Sequence, residues 1–242
     1  MKCIILCAGY ATRLYPLTLN KPKALLPVFG KPILSYLVDK VNKISEIDEI
    51  FIVSNDKFYS SFCEWGKSLK KENVKILNDL TLTNEDRLGG IGDFLFALEK
   101  GKIDDDILLL AGDNFFDFEL DKFVDFFKKN KTHSIMLYDI QGKDDPRKFG
   151  IIDVDNENKI ISFEEKPLNP KSTLISTGIY FYSKNELNKI KEYMKTSLPK
   201  EGPGYLIPYF LNSQSVFGLI TDGNWYDIGS KEIYDQVNNI IK

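Results

Sequence analysis

Histidine and cysteine are scarce in this 242-residue chain, which holds one histidine, His133, and three cysteines. Three cysteines give no disulfide framework, and with a single histidine there is no Cys/His metal cluster and no ready Ser/His or Cys/His catalytic pair. Cys3 and Cys7 fall on one face of a predicted first strand, where cysteine acts as a small buried hydrophobe, and His133, beside a later strand, is expected to be structural. Any metal must then be held by oxygen, which points to a hard ion such as Mg²⁺. No apolar run reaches the length of a membrane span. The N-terminus is a strand pattern with charge at Lys2 and no small-residue cleavage site, so no secretory signal and a cytoplasmic location are expected. There is no internal repeat, low-complexity tract or linker. No G-x-G-x-x-G follows the first strand and no G-x-x-x-x-G-K-[ST] occurs anywhere, which lowers a dehydrogenase or P-loop reading.

Acid is also missing, but only locally. Met1 to Val38 carries five basic residues (Lys2, Arg13, Lys21, Lys23, Lys31) and no acidic one, although the whole chain has a formal net charge of −3. A local positive field in an acidic protein argues for a specific anionic ligand and against nucleic acid. The stretch Lys2–Pro32 has the parts for one. An apolar strand, Lys2 to Cys7, delivers a loop of small residues (Ala8, Gly9, Ala11, Thr12) that lets backbone N–H groups approach phosphate. Arg13 offers a planar fork of donors and Lys23 a compact charge, held by the adjacent Pro22.

The rest of the chain alternates strands and helices. Strands are expected at Glu49–Ser54, Val74–Leu77 and Ile107–Ala111. Helices follow from the spacing of Ile33, Leu37, Val41 and Ile44, of Phe58, Phe62, Trp65 and Leu69, of Leu95 and Leu98, and of Leu120, Phe123, Val124 and Phe127. This pattern implies a mostly parallel, doubly wound sheet with ligands at the carboxyl ends of its strands. Asp104–Asp106 precedes its strand and is expected to be solvated. Asp113 follows the same strand, and leaving it unpartnered there would be costly, so it reads as a metal or hydroxyl ligand. From Ile135 the pattern changes: short runs at Ile151–Val154 and Ile160–Glu164 around a polar turn suggest a hairpin, and a strand through Ser176–Phe181 follows. This half is expected to be antiparallel and inserted beside the main sheet. With 43% hydrophobic residues the chain can fill one large core, and one α/β domain over 1–242 is expected.

The runs LCAGYATRLYPLT and NKPKALLPVFGKPIL resemble the signature of the sugar-1-phosphate nucleotidylyltransferases, also called nucleotide-diphospho-sugar pyrophosphorylases, among them the glucose-1-phosphate thymidylyl- and uridylyltransferases. AGDN (Ala111–Asn114), EEKP (Glu164–Pro167), STGIY (Ser176–Tyr180) and WYDIG (Trp225–Gly229) then fall in that family's order. Ala11 stands where the family usually has a second glycine; alanine at φ > 0 would cost on the order of 1 kcal/mol, so an ordinary backbone conformation is expected there.

The resemblance implies an α/β, Rossmann-like GT-A nucleotidyltransferase fold, mostly parallel and doubly wound with an antiparallel sugar-binding insertion. Residues 1–134 would form mainly the nucleotide half and 135–242 mainly the sugar-phosphate half. It implies Ala8, Gly9, Thr12, Arg13 and Lys23 on the nucleotide phosphates, with Arg13 and Lys23 catalytic, Gly89 against the base, and Asn78 or Asp79 at the base edge. It implies Asn114, Gly150, Glu165, Lys166, Thr177 and Gly178 around the sugar phosphate, and Asp113 and Asp227 holding Mg²⁺. The implied partners are a nucleoside triphosphate and a sugar 1-phosphate. The implied reaction is attack of a sugar-1-phosphate oxygen on the α-phosphorus, with release of pyrophosphate. Two unit charges 4 Å apart repel by roughly 4 kcal/mol at an effective dielectric near 20, so the protein's task is neutralisation and alignment, without a protein nucleophile. The expected donor is dTTP or UTP and the expected acceptor glucose 1-phosphate. A cytidylyltransferase for a non-sugar phosphate such as phosphocholine, and a catalytically silent nucleotide-sugar-binding module, are the rivals. Only one helix is expected after Asp227, so a single activity without an added acyltransferase domain is expected, and a homo-oligomer stays open.

Overall fold

The structure is a computed structural model and describes residues 1–142 and 144–240. Its frame is a nine-stranded sheet, and the alternation of the first strand shows how that sheet is buried. In β1 (Lys2–Leu6), Cys3 and Ile5 pack into one apolar cluster and Ile4 into another, because successive strand side chains point to opposite faces. Both faces are covered, as apolar strands without a polar side require.

After two short paired strands, β2 (Pro27–Val28) and β3 (Lys31–Pro32), helix α1 (Ile33–Val41) begins directly behind Pro32, whose fixed φ suits a helix entry. The units β4 (Glu49–Ser54), α2 (Asp56–Leu69), β5 (Val74–Asn78), α3 (Gly90–Lys100) and β6 (Ile107–Ala111) follow. Asn55 caps α2 by accepting from the Phe58 N–H at 3.0 Å, and Phe58, Phe62 and Trp65 are core residues, as their helical spacing predicts. The strands β5–β4–β1–β6 run parallel. The third helix, expected from Leu95 and Leu98, begins earlier, at Gly90.

Next come β7 (Asn114–Phe116), α4 (Asp121–Asn130), β8 (Ser134–Asp139), β9 (Gly150–Val154), β10 (Ile160–Glu165) and β11 (Leu174–Tyr182). The hairpin of β9 and β10 forms as predicted. These strands do not form a separate sheet beside the first. β11 pairs antiparallel with β6, so the main sheet continues through β11 to β8 and β9, and the insertion is joined edge to edge with the parallel part. Unsatisfied N–H and C=O groups on the β6 edge make that continuation favourable. Helices α5 (Asn188–Met194) and α6 (Leu206–Leu211), strands β12 (Phe217–Ile220) and β13 (Trp225–Asp227), and helix α7 (Lys231–Asn239) complete the chain. β12 joins β8 in parallel, and β13 pairs with β7, a small ribbon that the sequence patterning missed.

Candidate active site

The register of β7 with β13 sets Asp227 opposite Asn114, which brings Asp227 beside the carboxyl end of β6 where Asp113 sits. The Ile228 N–H donates to the Asp113 carbonyl at 3.1 Å and locks this approach. Lys23, carried on a short 3₁₀ turn after Pro22, reaches across to Asp113 with Nζ 2.6 Å from Oδ2. Arg13, on another such turn, closes the group: a Cβ built on Gly229 would lie 3.5 Å from Arg13 Nη2 and 3.3 Å from Asp227 Oδ2. Two cations and two carboxylates, each cation 90 to 214 positions from the carboxylates in sequence, therefore form one cluster.

Burial works against both charges of the central pair, and their mutual attraction overrides it. Burial lowers the Lys23 ammonium's affinity for its proton, yet Asp113 and then Asp227 hold its pKa above the ordinary value. Burial likewise disfavours the Asp113 carboxylate, yet Lys23 holds its pKa below the usual range. Asp227 is different. Burial and the neighbouring Asp113 charge push it up to about 6, against Lys23 and Arg13, and its Oδ1 is buried without a hydrogen-bond partner. An orphaned carboxylate oxygen beside a second carboxylate, both residues lining one polar cavity, is a donor set that fits a hard divalent cation, which takes oxygen ligands.

The phosphate loop is tightly held. Ala11 O accepts from Thr18 Oγ1 at 2.8 Å and from the Leu14 N–H at 3.0 Å. Contrary to expectation, Ala11 is left-handed, at φ 49° and ψ 43°. These two bonds hold a conformation that costs an alanine on the order of 1 kcal/mol. Ala8 is buried, whereas Gly9 and Thr12 are exposed at the loop surface, and a Cβ on Gly9 would meet nothing within 4 Å. A cavity of about 110 Å³ runs from Gly9 and Ala11 to Lys23 and Asp113.

A second cavity, about 240 Å³, opens on the other side of the two carboxylates. It is lined by Asn114, Gly150, Glu165, Lys166, Thr177 and Gly178, all six of the residues expected around a sugar phosphate, together with Asp113 and Asp227. Gly178 has φ +78° at an irregularity in β11, and a Cβ there would sit 3.1 Å from Ala111 Cβ and 3.2 Å from Asn114 Nδ2. Asn114 Nδ2 donates to Thr177 O at 2.5 Å, and Thr177 Oγ1 donates to Met136 O at 2.8 Å, so Thr177 turns its hydroxyl into the core. Lys166 is a loosely held cation of this wall: its side chain is 62% exposed and its Nζ lies 3.5 Å from Glu165 Oε1, a weak surface pair.

Asn78 closes β5 and Gly89 precedes α3, and neither lines the two cavities. The Asn78 side chain donates to Asp56 and accepts from the Leu80 N–H, which makes it a loop brace. Gly89 has φ +78°, and a Cβ there would lie 2.5 Å from the Lys200 carbonyl oxygen. Sequence reasoning missed the loop Gly202–Tyr205, Tyr180 and Phe149 on the sugar-phosphate wall. The Gly–Pro–Gly run at 202–204 was the available signal for that loop, since such runs mark irregular backbone.

A basic loop of small residues and paired carboxylates near the carboxyl end of a parallel sheet, beside a polar cavity, are the parts a nucleotide-dependent α/β transferase requires. A family profile described as nucleotidyl transferase matches residues 2–242, and the chain belongs to that family, among the sugar-phosphate nucleotidyltransferases. It is 31% identical to the bifunctional protein GlmU of Methanocaldococcus jannaschii, over all of this chain and 56% of that protein. It is also 31% identical to a protein of Sulfolobus acidocaldarius assigned as a mannose-1-phosphate guanyltransferase, over 98% of this chain and 62% of that one. The chain thus spans little more than half the length of these relatives. A crystal structure from Bacillus anthracis assigned as a glucose-1-phosphate thymidylyltransferase superposes with a TM-score of 0.82 at 29% identity, over 98% of this chain and 94% of that one.

Proposed function

We propose that the chain transfers a nucleoside monophosphate from dTTP or UTP to glucose 1-phosphate, giving the nucleoside-diphosphate sugar and pyrophosphate. The observation that carries this reading is the place of Asp113, which lines both the phosphate-loop cavity and the cavity of Glu165 and Lys166. Two anionic substrates seated in the two cavities meet at the Asp113–Lys23–Asp227–Arg13 cluster. Coverage of almost the whole of the thymidylyltransferase-like structure supports the pyrimidine donor. The Sulfolobus relative favours a second reading, GTP with mannose 1-phosphate.

Each residue then has a task. The loop from Gly9 to Thr12 presents backbone N–H groups to the triphosphate. Arg13 offers its fork to the departing pyrophosphate, and Lys23, held charged by Asp113 and Asp227, offsets charge near the α-phosphorus. Lys166 releases Glu165 and takes the incoming phosphate, while Glu165 accepts from sugar hydroxyls. Asp113 and Asp227 would hold Mg²⁺, which when bound supplies charge neutralisation on the phosphates. The substrates are soluble phosphates, which suits a cytoplasmic reaction; this reading keeps a mainly nucleotide half, residues 1–134, and a mainly sugar-phosphate half, residues 135–242, with Asp113 and Asn114 of the first reaching into the second cavity.

Pyrophosphate release with Mg²⁺, testing dTTP, UTP, CTP, ATP and GTP against glucose 1-phosphate, mannose 1-phosphate and phosphocholine, decides the matter. Release with dTTP or UTP and glucose 1-phosphate is expected. Release only with GTP and mannose 1-phosphate would hand the case to the second reading. Nucleotide binding without turnover of any pair would mark a silent binding module.

A further inference from the structure

Two buried carboxyls lie outside the cluster just described, at the junction between the end of β5 and the start of α3. Asp79 is 7% exposed and Asp93 is 6% exposed. Asp79 Oδ1 accepts from the Thr81 N–H at 2.7 Å and from Thr81 Oγ1 at 2.8 Å. The Thr81 carbonyl in turn accepts from Tyr10 OH and from the Asp56 N–H, each at 3.0 Å. One turn of chain is thereby tied to the phosphate loop through Tyr10 and to α2 through Asp56. The tie to α3 is the unusual one. Asp79 Oδ2 and Asp93 Oδ1 are both buried without a donor, and the two side chains are in contact.

We propose that Asp79 and Asp93 share one proton, and that this proton holds the loop 79–89 and the first turn of α3 in the geometry that receives the nucleotide base. This rests on the nucleotidyltransferase reading, in which Gly89 meets the base. Two ionised carboxylates in contact repel and leave both orphan oxygens unsatisfied; one proton converts the contact into an O–H···O⁻ hydrogen bond and satisfies both. The proton stays on Asp93. Asp79 Oδ1 already accepts two hydrogen bonds, which favours its charged form, whereas Asp93 is pushed up to about 8 by burial and by the Asp79 charge. The acidic groups around the pair are Asp56 on α2 and, beyond Tyr10, Asp86 within the loop, and their negative charge favours keeping the proton; Tyr10 and Cys7 stand near it uncharged, since burial raises both. On the other side α5 meets this turn through Met194, which approaches Gly92.

The pair is placed to matter for binding. The Asp93 N–H donates to the Gly89 carbonyl at 2.8 Å, one helical turn away, so a shift of Asp93 moves Gly89. Gly90 and Ile91 donate to the Glu201 and Lys200 carbonyls at 3.0 and 3.1 Å, which fastens the other side of this turn to the loop leading into the sugar-phosphate wall. Asp79 and Asp93 are therefore positioning residues.

The test uses the wild-type chain, Asp93→Asn and Asp93→Ala, each read in two ways. Urea denaturation without substrate, from pH 5 to 9.5, reads the proton alone. A raised carboxyl pKa contributes stability that is full below the ordinary carboxylate pKa and is lost as pH rises through about 8. The wild type should lose midpoint over this range relative to Asp93→Asn, whose amide donates at every pH. Steady-state kinetics reads the positioning. Wild-type KM for the nucleotide should rise roughly fivefold between pH 8 and 9, as for binding that requires one protonated group, with kcat following the variants. Asp93→Asn should keep the low KM of the wild type across the range, and Asp93→Ala, which leaves Asp79 charged and unpartnered, should show a high KM throughout. Parallel denaturation profiles for wild type and Asp93→Asn would overturn the shared proton. A pH-flat nucleotide KM in an active wild type would overturn the positioning role even if the profiles differ. Failure of the wild type to turn over any nucleotide, with the denaturation contrast intact, would instead sink the nucleotidyltransferase reading and the positioning role with it.

Discussion

Lys23 carries more of the proposed chemistry than any other side chain, because it is the cation set between the two carboxylates and the phosphate loop. Removing it leaves Asp113 without its 2.6 Å partner and the α-phosphorus without the cation nearest it in the proposed mechanism, with Arg13 remaining at the pyrophosphate. Lys23→Ala is expected to lower kcat by about 10²–10³-fold, in the range of other lost transition-state donors, with smaller changes in KM for either substrate. Unchanged turnover in steady-state assays would remove Lys23 from the mechanism. At His133 burial acts with no carboxylate opposing it. It is 2% exposed, accepts from the Ser183 N–H at 3.2 Å through Nδ1, and packs on Phe210. Burial, assisted by Lys189, pushes its pKa down to about 3. The unfolded chain takes up this proton near pH 6.5 and the folded chain does not, so the contribution is present above that pH and is lost as pH falls toward 3. Urea unfolding should show His133→Gln losing less stability than wild type between pH 6.5 and 4, by about 1 kcal/mol or more. Equal slopes would show that the buried imidazole is not what sensitises the fold to acid.

At the scale of elements, the sugar-phosphate wall depends on how β11 leaves its regular register. Between Ser176 and Tyr180 the pairing with β8 shifts, and Gly178 takes a φ that glycine adopts freely. That irregularity turns the strand toward Asn114 and lets the Asn114–Thr177 hydrogen bond form. Gly178→Ala forces a Cβ toward Ala111 and Asn114 in a left-handed conformation. It should cost about 1–2 kcal/mol in denaturant unfolding and raise KM for the sugar phosphate about tenfold. KM for the nucleotide should stay within about twofold, since the phosphate loop is on other elements; an equal rise in both would point to general collapse of the site. The left-handed Ala11 is the counterpart on the nucleotide side, a strained residue held by Thr18 and Leu14 rather than by its own preference.

Across the whole molecule, the two cavities meet at Asp113, which lines both. Occupying them should therefore be felt globally. With divalent cation present, nucleotide at 100 times its dissociation constant should add about 2.7 kcal/mol of stability, visible as a rise in melting temperature. Chelation of the cation should remove most of that rise and abolish pyrophosphate release. Asp227 is the reason to expect this, since its buried, partnerless oxygen and its carboxyl pKa near 6 mark a group that gains from a cation. A melting shift that is indifferent to chelator would mean that Lys23 and Arg13 hold the triphosphate by themselves.

The amino-acid order by itself determined the local conformations and the chemistry on offer. Alternation in β1, helical spacing in α2 and the polar turn between β9 and β10 were legible because they depend on neighbours in sequence. The basic, acid-free start of the chain announced an anionic ligand for the same reason, and the six residues expected around the sugar phosphate do share one cavity. What needed tertiary structure was everything set by contacts between distant segments. The β7–β13 ribbon is too short for a periodic signal, and its pairing is what brings Asp227 beside Asp113. Joining of β11 to the edge of β6 was not readable either, since an edge strand's open hydrogen bonds carry no sequence mark. Nor was the Asp79–Asp93 contact, because 14 positions of loop and helix separate two carboxyls whose protonation depends on burial and proximity, which arise only once the chain is folded.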